Sequence, residues 1–73
     1  MQNSTHDGIL SDVAALERHM AAHPASPLFT RLASAHLGGN RPAQALKVCL
    51  QGLRHHPEYA SGLLLIARAQ VML

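Results

Sequence analysis

The sequence predicts an all-α fold of about four helices, and three observations predict it. The apolar residues, 48% of 73, are mostly Leu and Ala, with one Phe, one Tyr and no Trp, a supply that favours helix over strand. Pro24, Pro27, Pro57 and the Gly38-Gly39 pair cut the chain into lengths typical of short helices. A shift of 34 residues lays Phe29 on Leu63, Leu32 on Ile66, Ala33 on Ala67, Ala35 on Ala69, His36 on Gln70 and Leu37 on Val71, so one helical face occurs twice.

Each element has its own local cause. Residues 1–7 form a polar tail, and the rest, 8–73, forms a single domain. Ile9, Val13, Leu16 and Met20 recur at helical spacing and predict a first helix over about 8–23. Ser4, Thr5 or Asp7 would cap it, and Pro24 ends it by forcing the preceding residue out of the helical region. Ser26-Pro27 then offers a capping hydroxyl and a proline whose missing N–H costs nothing in a first turn. The second helix, about 26–38, carries Phe29, Leu32, Ala33 and His36 on one face, and the two glycines are expected to supply its left-handed exit. Asn40 is read as the cap of a third helix over about 41–55. Ala45, Leu46, Cys49, Leu50 and Leu53 form its apolar stripe, and Gln44, Lys47, Gln51 and Arg54 its wet one. The fourth helix, about 58–72, follows Pro57.

The repeated element and its spacing resemble a tetratricopeptide repeat over Ser26 to Leu73. Phe29, Leu32, Ala33 and His36 stand at the positions where that family has a large apolar residue, Leu, a small residue and an aromatic. Ala45, Cys49, Gly52 and Pro57 match its small, aromatic, small and proline positions. His36 and Cys49 depart from the usual aromatics, and Asn40 from the commonest turn glycine. The resemblance implies antiparallel helical hairpins stacked as a right-handed superhelix, the first helix loosely matching the end of a preceding repeat. It also implies a concave groove for a peptide or partner helix, lined by Thr30, Ser34, Leu37, Leu64, Arg68 and Val71. The basic and amide clamp with which some members hold a terminal carboxylate is not matched, because Thr30, Ser34 and Leu65 occupy those places.

Between Ser61 and the end, Arg68 and Gln70 are the strongly polar residues of a helix otherwise apolar all round, and such a helix must be covered. Leu63, Ile66 and Ala67 are expected to pack on the third helix, leaving Leu65, Ala69 and Met72 for a next repeat or for self-association into a homo-oligomer. Repeat arrays draw their stability from neighbours and generally need about three units, so a chain with barely two is expected to belong to a longer stack or to pair with itself.

The remaining signals are weaker. Arg18, Arg31, Arg41, Lys47, Arg54 and Arg68 are scattered, and the net charge is only +2. This disfavours nucleic acid, although Gln44, Lys47, Gln51 and Arg54 could also face a major groove if the second and third helices were a DNA-binding helix-turn-helix. His19 and His23 share a helix face without the glutamate of a metalloprotease motif or an evident third ligand. They are read instead as the favourable last-turn residues of a helix C-terminus. Cys49 lies among Ala45, Leu46 and Leu53 as an apolar filler, with no signature of a nucleophile. The chain is thus expected to be no enzyme, with no catalytic residue, cofactor or metal. A lone thiol, a polar start and no apolar run near ~20 residues predict a cytoplasmic protein with no membrane segment. A purely structural repeat is the third reading.

Overall fold

The computed structural model describes residues 12–73; the polar tail and Ile9 lie outside them. Within that span are four helices, α1 Val13–Ala22, α2 Phe29–Gly38, α3 Pro42–His55 and α4 Ala60–Met72, and no strand. The all-α reading and the number of helices hold.

The ends follow local chemistry, with some shifts from expectation. Asp12 has extended backbone angles and its Oδ1 accepts from Ala14 N at 3.0 Å, so α1 starts at Val13 rather than running through from residue 8. Ser26 Oγ accepts from Leu28 N at 3.1 Å and opens a tight turn, which places the regular start of α2 at Phe29. At the exit of α2 neither glycine has positive φ; Asn40 does, at 59°. Arg41 N donates to His36 O at 2.8 Å and Asn40 N to Leu37 O at 3.0 Å, the paired bonds of a Schellman turn with Asn40 in the left-handed position. Asn40 therefore closes α2 and does not cap α3, whose cap is Arg41, followed by Pro42 in the first turn.

Packing is organised around one ring. Phe29 is fully buried, and a Cβ on Gly52 of α3 would overlap it, while a Cβ on Gly62 of α4 would come within 3.0 Å of it. The two glycines thus let α3 and α4 close on the same aromatic residue. His56 stacks beside the ring with centroids 6.3 Å apart, and Tyr59 meets it edge-on at 5.7 Å. Ala33, Leu37, Ala45, Cys49, Leu65 and Ala69 form the adjoining core, in which the alanines set the close approach of α2, α3 and α4. Helix α2 touches all three others, whereas α1 and α3 do not meet.

Two expected faces are turned. Leu50 is exposed and Gly52 occupies the buried stripe of α3 in its stead. On α4 the buried stripe is Gly62, Leu65 and Ala69; Leu65 is only 7% exposed and Ala69 not at all, whereas Leu63 is 51% exposed. The expectation that Leu65 and Ala69 lie open while Leu63 packs is therefore reversed. An apolar side chain stands at almost every position of α4, so the close fit of Gly62 on Phe29 selects the inward side.

Candidate functional site

The proposed groove residues sit on two adjoining helices, because α2 and α4 pack against each other. On α4, Leu64 is 62% and Val71 87% exposed, and Arg68 is exposed between them, one turn from each. On α2 the set is less uniform. Ser34 is exposed, Thr30 is half-buried with its hydroxyl donating to Pro27 O at 3.2 Å, and Leu37 is turned into the core with Cys49 and Ala69. Leu37 thus supports the surface from beneath and does not line it. Leu63, Leu73 and the partly exposed Met72 extend the apolar surface along α4, and Ala67 is exposed with them.

A second concavity was not anticipated as such. Between α1 and α3 run two adjoining cavities of about 290 and 380 Å³, both bounded by Met20, Leu32, Val48 and Gln51. The signal for it lay in the Gln44, Lys47, Gln51, Arg54 stripe, all four exposed as read. That α1 stays apart from this stripe depends on how both helices lean on α2, which no periodicity reports.

Among the described residues, His19, His23, His36 and His56 have structural partners. His19 Nε2 and Ser26 Oγ are hydrogen-bonded at 2.9 Å, and the His23 ring lies tilted against His19 with centroids 4.9 Å apart. His56 Nε2 donates to Ala25 O at 2.6 Å, tying the end of α3 to the α1–α2 connection. His36 is buried. Its Nδ1 accepts from Arg41 Nε at 3.0 Å, which leaves the ring proton on Nε2, 3.7 Å from Glu17 Oε2. Burial and the Arg41 guanidinium hold the imidazole below its ordinary 6.5, against an opposite pull from the Glu17 carboxylate. Arg41, at the cap of α3, thereby pins the last turn of α2.

Among the described residues no three His, Cys, Asp or Glu side chains gather as metal ligands, and no buried side-chain polar atom lacks a partner. Cys49 is fully buried, and burial pushes its thiol up, away from the thiolate a nucleophile needs. No helix among them is long and apolar enough to cross a membrane. Compared with protein-family models, with curated proteins and with solved structures, the chain matches none.

Proposed function

We propose that this chain is a protein-binding module of tetratricopeptide-repeat type and not an enzyme, working in the cytoplasm, where its single thiol stays reduced. The observation that carries the reading is the outer face of α4, where Leu63, Leu64, Val71 and Leu73 stand in solvent around Arg68. A contiguous apolar strip on a domain this small marks an interaction surface, because leaving it wet forgoes about 25 cal/mol for each Å² that a partner would cover.

The repeat pattern agrees with that reading. Shifted by 34 residues, the buried α2 residues Phe29, Ala33 and His36 become Leu63, Ala67 and Gln70, all exposed, and within the described residues no helix follows to cover them; Ile66, the counterpart of Leu32, packs against the core. The occupant is accordingly another helix or peptide, whether from the next repeat of a longer chain, a second copy or a separate protein.

Sedimentation velocity at low micromolar concentration and affinity capture from extract test this together, comparing the wild type with a Leu64→Glu, Val71→Glu double variant. The wild type should self-associate or retain a protein that the variant loses while keeping its helical circular dichroism. A folded wild-type monomer whose captured proteins are the same as those of the variant would defeat the reading.

A further inference from the structure

The trough between α1 and α3 lies away from the α4 surface and has a different chemistry. Met20 of α1, Leu32 of α2 and Val48 of α3 line its apolar part. Its two rims carry opposite charge. Lys47 and Arg54 stand on the α3 side, both exposed and neither within ion-pair distance of a carboxylate among the described residues. Glu17 stands on the α1 side, its side chain 57% exposed.

We infer that the α1–α3 trough is a docking site for an amphipathic helix of a partner protein, one with carboxylates along the flank facing α3 and a cation on the flank facing α1. The inference rests on the reading of the chain as a protein binder but assigns a second, separate face. Lys47 and Arg54 are seven residues apart, two helical turns or about 10.5 Å along the axis. Carboxylates that far apart on a partner helix are also seven residues apart and project from the same side. In an extended peptide the same distance is about three residues, which puts the two carboxylates on opposite faces, so a strand could satisfy only one cation. An apolar stripe at i, i+3 or i+4, and i+7 would meet Met20, Leu32 and Val48. Glu17 and the apolar lining turn away a phosphate backbone, which two cations alone do not hold.

Amide shifts of the isotope-labelled full chain test this with three probes. One is a synthetic Leu-rich helical peptide with Glu at i and i+7 on one flank and Lys on the other; the second has Lys in place of those Glu residues; the third is a short DNA duplex. The acid-flanked peptide should shift Met20, Val48 and Gln51, and a Lys47→Glu, Arg54→Glu double variant should weaken it by about tenfold, as two reversed surface pairs would. Both sites are exposed, and unchanged circular dichroism verifies the fold of the variant. The proposal is overturned if the acid-flanked peptide shifts only Leu64 and Val71, if the double variant binds it within about twofold of wild type, if the Lys-flanked peptide binds equally well, or if the duplex alone shifts α3 with steep salt dependence. The first of those outcomes would leave the α4 reading intact. Shifts confined to the trough sustain this inference, and the α4 reading is decided separately by the sedimentation and capture comparison.

Discussion

Helices α2 and α4 carry related faces in different surroundings. Phe29 and Leu63 correspond at a shift of 34 residues, yet Phe29 is sealed between Gly52 and Gly62 and Leu63 stands half in water. Ala33 and Ala67, and His36 and Gln70, divide in the same way, the first of each pair buried and the second exposed. The difference teaches that the repeated pattern encodes a requirement for a covering helix. Among the described helices, α1, α3 and α4 all lie against α2, while α4 lies against α2 and α3.

The largest test of this contrast removes the two corresponding side chains. Phe29→Ala should cost about 3–5 kcal/mol in urea unfolding, because the cavity opens among three helices that cannot all collapse into it. Leu63→Ala should cost under about 0.5 kcal/mol. Similar losses at both positions would mean that Leu63 is covered in solution and that the open face of α4 is already occupied.

The glycines sharpen the same comparison at smaller scale. Gly52→Ala should destabilise by about 1–2 kcal/mol, since the new methyl overlaps the Phe29 ring and outweighs a helix-propensity gain of about 1 kcal/mol. At Gly62 the added Cβ meets the ring edge and Leu53 Cδ2 at 3.0 to 3.1 Å, so the two effects nearly cancel and the change should stay under about 1 kcal/mol. Thermal unfolding of both variants checks the order.

Acid should weaken the α2 side in particular. The folded-state pKa of His36 is held below 6.5, so the unfolded chain takes up the proton first. The resulting stability is complete above about pH 6.5 and is lost as pH falls toward the depressed value. Urea midpoints should therefore decline from about pH 7 to about pH 5, and the decline should be shallower in His36→Gln, where no imidazole titrates against Arg41. An identical slope in the variant would show that His36 is not the group responsible.

The smallest effect on stability belongs to Leu64→Ser, which should move the unfolding free energy by no more than about 0.5 kcal/mol because that side chain is already wet. Its effect should instead appear in association, measured by sedimentation. A large stability loss would place Leu64 in a covered position.

Much of the architecture was legible because its causes are local. Pro24 and Pro57 follow the ends of α1 and α3, and the spacing of Ala45 and Cys49 against Gln44, Lys47, Gln51 and Arg54 turns α3 inward as read, except that Leu50 is exposed and Gly52 is buried. The α2 face of Phe29, Leu32, Ala33 and His36 is buried as the spacing requires. What failed was also physical. Asn40 took the left-handed position beside two glycines because the helix continued through Gly38 before it closed, and a short polar side chain tolerates that conformation. Of the candidate groove residues, Leu64, Arg68 and Val71 on α4 are exposed, whereas Leu37 is drawn into the core by the small residues around it.

Sequence alone determined the number of helices, where prolines end them, and that the last of them carries more apolar surface than one neighbour can cover, since proline geometry and side-chain periodicity act within a few residues. Tertiary structure alone decided which stripe of α4 turns inward and that α1 and α3 stand apart over Leu32. A helix apolar on all sides has no preferred face until Gly62 meets the Phe29 ring, and the spacing of two helices that share a third is set by the side chains between them.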